Sequence, residues 1–175
     1  MARILLWVAG ALIGGYMSWS AAGCGGSGGD DLSCVPDDLS DPTVNLDTAG
    51  GTNPWTLTLT QTSSTCPSPP DSITCQLNMD VSGNDVATSG TCQSNAGVTV
   101  TFDNTTGKVS GDTLYWGTTM TTTVGDYSET DTVPCTSVSF VSDTLSETFS
   151  VTVDVSYNNA GTTGECSTSF SGIFQ

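Results

Sequence analysis

The chain has no histidine, and among its 175 residues only Arg3 and Lys108 are basic. Without histidine there is no Ser–His–Asp triad and no H-E-x-x-H zinc helix. No G-x-x-x-x-G-K-[ST] phosphate loop occurs, and no arginine follows residue 3 to hold a phosphate. Nucleic-acid binding needs Lys and Arg to neutralise phosphates, so no nucleic-acid partner is expected. Close C-x-x-C pairs are also missing, which leaves no zinc site and no cofactor implied. Only the N-terminal apolar run approaches the length of a membrane span, and it is too short and too Gly-rich for a good one. Beyond it no window carries a convincing 3.6-residue period, so essentially no helix is expected after the leader.

What is present is acid. The net charge is −16, and all 18 acidic residues follow residue 23. Such a surface stays soluble by self-repulsion, repels anionic lipid headgroups and attracts at most loosely bound cations.

Residues 1–23 are ordered as a secretory signal: Arg3, the apolar run Ile4–Ile13, then small residues. Ala21-Ala22-Gly23-Cys24 resembles the lipobox of bacterial lipoproteins, with Ala21 where that family usually has Leu. The resemblance covers the leader alone. It implies that Cys24 carries a diacylglyceryl group, becomes the first residue after cleavage and is acylated on its amine, with palmitate-type chains as the anchor. Two or more chains hold a protein on a membrane in an effectively stable way. Gly25 stands where Asp favours inner-membrane retention in some bacteria, which implies the outer membrane, on its periplasmic or surface face. An uncleaved anchor helix and an ordinary soluble secreted protein are the alternatives. The division expected is a signal peptide at 1–23, a lipidated, Gly/Asp-rich tether and lead-in at 24–53, and a β domain at 54–175.

Of seven cysteines, setting Cys24 aside leaves six: Cys34, Cys66, Cys75, Cys92, Cys135 and Cys166. In an oxidising compartment an even set reads as three disulfides.

From Trp55 the period becomes two. Trp55, Leu57 and Leu59 alternate with threonines, and Ile73, Cys75, Leu77, Met79 and Val81 alternate with polar residues. Ser82-Gly83-Asn84-Asp85 reads as a two-residue hairpin turn. That turn sets Val81 opposite Val86, Met79 opposite Thr88, Leu77 opposite Gly90 and Cys75 opposite Cys92, so a Cys75–Cys92 disulfide is expected. Further strands are read at Val98–Phe102, at Leu114–Val124 after a Ser110-Gly111-Asp112 turn, at about Thr132–Val141, at Phe149–Tyr157 and at Cys166–Phe174. Asn104–Gly107 reads as a loop. Thirty threonines suit strand faces.

These patterns give an all-β domain of about eight antiparallel strands in a meander. Closing it into a small, disulfide-stapled up-and-down barrel removes its edges; a β-sandwich is the alternative. Closure brings Cys66 and Cys166 to one end as neighbours and leaves Cys34 with Cys135. Cys34–Cys66 with Cys135–Cys166 is the competing pairing.

Chemistry is sparse. Glu147 falls on the parity of Leu145, Phe149 and Val151, and a buried glutamate would have a raised pKa. Asp126, Glu129 and Asp131 form a weak calcium candidate in what reads as a solvated acidic turn. Trp55, Phe102, Trp116, Phe149 and Phe170 read as core, and Tyr115 as a surface residue. Asn104-Thr105-Thr106 is a glycosylation sequon only in a eukaryotic secretory pathway. The expectation is a non-enzymatic, lipid-anchored envelope protein presenting a small β domain for interaction with a protein partner or for structural use. A lipocalin-like binder of a small apolar ligand is the alternative, and a carboxylate-dependent glycoside hydrolase is the remote one.

Overall fold

Period-two segments with one apolar and one hydroxyl-rich face can bury only one side, and a closed barrel gives every such segment two neighbours. The computed structural model describes residues 32–141, 145–146 and 148–175. Its strands are β1 Trp55–Ser64, β2 Ser72–Ser82, β3 Asp85–Ser94, β4 Thr99–Ser110, β5 Thr113–Val124, β6 Tyr127–Val141, β7 Leu145–Ser146, β8 Phe149–Asn159 and β9 Thr162–Phe174. No helix is present among the described residues. Consecutive strands pair antiparallel, with β7 a two-residue addition on β6, which pairs onward with β8. β9 returns to pair with β1. Eight strands therefore close an up-and-down barrel, and the sandwich is set aside.

The β2–β3 register is the one the Gly83-Asn84 turn requires: Val81↔Val86, Met79↔Thr88, Leu77↔Gly90 and Cys75↔Cys92. Gly83 has φ +62°, the left-handed value that the first loop position needs. Gly90, at φ +150°, adjoins a register shift between β3 and β4; a Cβ there would meet the Gln76 carbonyl.

The barrel has two unlike ends. At one, where the chain turns at 83–84 and 111–112 and ends at Gln175, Trp55, Phe140, Phe149 and Phe174 pack with ring centroids 5.3–6.2 Å apart. Val86, Val109, Leu114 and Val138 are buried with them. The lead-in straps this end. Leu46 is in the core, and its carbonyl accepts a hydrogen bond from Trp55 Nε1 at 3.1 Å. Thr48 bonds both the N–H and the C=O of Met79, at 3.0 and 3.1 Å. The described part of the segment expected to have little regular structure, residues 32–53, has no helix or strand, yet it supplies core.

Three disulfides hold the chain: Cys34–Cys135, Cys66–Cys166 and Cys75–Cys92. The first ties the lead-in to β6. The second ties the end of β1 to β9 across the closing seam.

Three boundaries differ from those expected; β9 begins at Thr162, four residues before Cys166, because the β8–β9 hairpin pairs down to Asn159↔Thr162. β4 runs unbroken through Asn104–Gly107. Gly107 is buried against β5, where an added Cβ would come within 2.7 Å of the Tyr115 carbonyl oxygen. The glycine serves close packing, not a loop. β6 begins at Tyr127, and its first residues pair on both sides, with β5 and with β8. Two-sided pairing overrides the weak strand propensity of Glu and Asp. The leader, Cys24, the tether to Asp31, and Glu147 lie outside the described residues.

Candidate functional site: an inward-facing carboxyl pair

The acidic stretch that reads as a turn is mostly strand. Only Gly125-Asp126 form the β5–β6 turn, with Gly125 at φ +58°. Beyond it, Tyr127, Glu129, Asp131 and Val133 occupy one face of β6 and Ser128, Thr130 and Thr132 the other. Val133 and Glu129 are buried, so the first face points into the barrel. The register sets Glu129 between Thr122 and Tyr157, and Asp131 between Met120 and Val155.

Glu129 is 8% exposed. Its carboxyl accepts a short hydrogen bond from the Tyr127 hydroxyl through Oε2. Asp131 stands two residues on from Glu129, on the same face of the strand. Burial pushes Asp131 up to about 7, with the charge of Glu129 adding to the rise. Burial likewise raises Glu129, partly offset by the hydrogen bond with Tyr127. The Tyr127 hydroxyl is raised above the usual phenol range by burial first and then by its bond to Glu129. The one described basic side chain, Lys108, is joined to Asp85, and Asp85 sits at the β2–β3 turn of the opposite, apolar end.

Three other buried polar atoms of the described residues lack a hydrogen-bond partner, one of them Asn78 Oδ1. The others are Gln61 Oε1 and Trp116 Nε1. Gln61 follows Leu57 and Leu59 on their parity, and Trp116 packs against the core. On the outside, a groove of about 310 Å³ runs over β2 and β3, lined by uncharged residues including Thr74, Gln76, Thr91 and Gln93. Gln76 already donates to Thr56 at 2.9 Å, and Asn95 at its end donates to Asp71 at 3.2 Å.

Asp126, Glu129 and Asp131 therefore do not form one ligand set. Asp126 is exposed in the turn, while the other two face inward from the strand. Among the described residues no group of three or more Asp, Glu, Cys or His is placed to hold a metal ion. Trp55, Phe149 and Phe170 are buried and Trp116 is half-buried, whereas the side chain of Phe102 is outside those described. Tyr115 is half-buried, opposite Lys108 and Ser137.

The inward carboxyls of β6 are what the sequence reading missed. The available signal was the alternation Tyr127, Glu129, Asp131, Val133, which continues into the apolar parity. It is obscured because the parity changes along β6: farther on, Val138 and Phe140 are the buried positions. The β5–β6 register shift between Trp116 and Thr118 accommodates that change. Comparison with protein-family models, with curated proteins and with solved structures finds no match to this chain.

Proposed function

We propose that this is an exported, lipid-anchored protein of the bacterial envelope that acts without catalysis, as a stapled β scaffold presented to a partner. The observation that carries the reading is the ring cluster of Trp55, Phe140, Phe149 and Phe174, which fills the apolar half of the barrel with the chain's own side chains. A carrier of a small apolar ligand needs that volume free.

The anchor reading rests on Ala21-Ala22-Gly23-Cys24 and on the six remaining cysteines, all of which pair with one another. Ten residues from Cys24 to Cys34 reach at most about 35 Å, so a lipid on Cys24 holds the barrel close to the bilayer. The disulfides suit an oxidising compartment. Metabolic labelling with radioactive palmitate, followed by membrane fractionation, tests this. The wild-type chain is expected to carry label and sediment with outer membranes, and Cys24→Ser to be unlabelled. A labelled Cys24→Ser chain, or an unlabelled wild type, would overturn the anchor.

A further inference from the structure

We infer that the outer groove over β2 and β3 is a binding site for a neutral, hydroxyl-rich saccharide, which gives the scaffold proposed above a glycan as its partner. The reasoning starts from the strands. β2 pairs with β1 and β3, and β3 pairs with β2 and β4, so neither offers a free edge here. The backbone groups along the groove are used in the ladders, and a peptide cannot add to them as a further strand. Whatever binds is read by side chains.

Those side chains are of one kind. Thr74 and Gln76 come from β2, Thr91 and Gln93 from β3 and Asn95 from just beyond it, with two serines completing the lining. The lining holds no charge, no aliphatic residue and no aromatic ring. Without carboxylates it does not suit a metal ion. Without Lys or Arg it does not suit an anion, which the net charge of −16 also repels. An apolar ligand needs an apolar lining. Each glutamine offers a carbonyl acceptor and two N–H donors, and each threonine hydroxyl both donates and accepts. The matching ligand carries its own donors and acceptors and no charge, which is the surface of a neutral saccharide.

The groove is also held in shape. Thr74 stands opposite Gln93, and Gln76 opposite Thr91. Between these pairs, on the inner face, lies the Cys75–Cys92 disulfide, its residues 2% and 6% exposed. It staples the two strands under the middle of the groove, so less freedom is lost when a ligand is bound. At the end, Asn95 N donates to the Ser72 carbonyl at 3.0 Å, and Asn95 Nδ2 to Asp71 at 3.2 Å. Gln76 Nε2 donates to Thr56 Oγ1 at 2.9 Å, which orients the amide and leaves its Oε1 to accept from a ligand. The uncharged surface continues on both sides. Thr58 lies beside Thr74 and Thr56 beside Gln76, with Thr99 beside Gln93 and Thr101 beside Thr91. Strands stand about 4.8 Å apart, so each row of four side chains runs about 14 Å across the wall, longer than one sugar ring.

NMR titration of the full chain with its disulfides formed, following the side-chain N–H signals of Gln76, Gln93 and Asn95, tests the site. The neutral probes are cellohexaose, maltohexaose, xylohexaose and mannohexaose. A galacturonate hexamer is the charged comparison and an uncharged Gly/Ser/Asn hexapeptide the peptide comparison. At least one neutral hexaose is expected to shift these signals saturably, with a Kd on the order of 1 mM, because no ring is present for the sugar to stack on. Gln76→Ala/Gln93→Ala, which alters two exposed side chains, is expected to weaken that binding about tenfold. The galacturonate hexamer is expected to bind about tenfold more weakly than the neutral hexaose, or less. No saturable shift with any neutral hexaose would overturn the site, as would shifts confined to other residues or equal affinity in the double variant. Equal binding of galacturonate would overturn the neutral class, and a peptide that shifts the same signals when no hexaose does would overturn the saccharide. Cys24→Ser is expected to bind like the wild type, so failure of the anchor reading leaves this site standing, and failure of the site leaves the anchor standing.

Discussion

Removing the Cys66–Cys166 bridge by Cys66→Ala/Cys166→Ala is expected to be among the costliest changes at the surface of this barrel. The two residues are 100 apart in sequence and join the strands that close the ring. With Cys34–Cys135 still in place, the shortest covalent path between them runs back to Cys34, across to Cys135 and on to Cys166, about 64 residues in effective loop length. Cross-linking a loop of that size removes denatured-state entropy worth about 4 kcal/mol in the chain-entropy model. Both cysteines are only half-buried, so lost packing adds little. Urea unfolding followed by the fluorescence of Trp55 and Trp116 measures the effect. Stability is expected to fall by about 3–4 kcal/mol and the m-value to rise, because the freed denatured chain exposes more surface. A loss below about 1 kcal/mol with an unchanged m-value would refute the reasoning, since it would mean that the bridge constrains nothing in the unfolded chain.

Gly90→Ala is expected to cost about 3 kcal/mol or more, because φ +150° is unfavourable for alanine and the new Cβ meets the Gln76 carbonyl; thermal unfolding checks it, with Gly97→Ala in an open turn as the comparison. Phe140→Ala, at 2% exposure in the ring cluster, is expected to cost about 3–5 kcal/mol by denaturant unfolding. Stability should also depend on pH through Asp131. Its carboxyl, raised to about 7 from 3.8, binds its proton more tightly in the folded than in the unfolded chain. That contribution is complete below about pH 4 and is lost as pH rises through about 7, by up to on the order of 4 kcal/mol if the whole rise is expressed. Urea titrations at pH 4 and pH 8 should show this fall in the wild type and a much smaller one in Asp131→Asn.

Much of the fold is visible in the chain because local and long-range signals agree. Two residues, Gly83 and Asn84, set ten register pairs between β2 and β3. That register lines up Cys75 with Cys92, and the meander it begins brings Cys66 beside Cys166. The sequence loses its clarity where the period breaks. β6 changes parity between Val133 and Val138, so its polar first half and apolar second half do not read as one strand. Gly107 resembles a loop glycine because sequence cannot reveal that β5 passes against its α-carbon. The candidate site was hidden for the same reason. Glu129 and Asp131 attract attention only once both neighbours, β5 and β8, cover them; before that they are two acids in an acidic protein.

Intact-mass spectrometry of the protein taken from its native membrane, with and without thiol alkylation under denaturing conditions, bears most directly on the proposal of an exported, anchored, stapled barrel. The expected result is a chain starting at Cys24 with the added mass of its acyl chains and no alkylation until a reductant opens six thiols. A chain that begins elsewhere without lipid, or one that is alkylated before reduction, would contradict it.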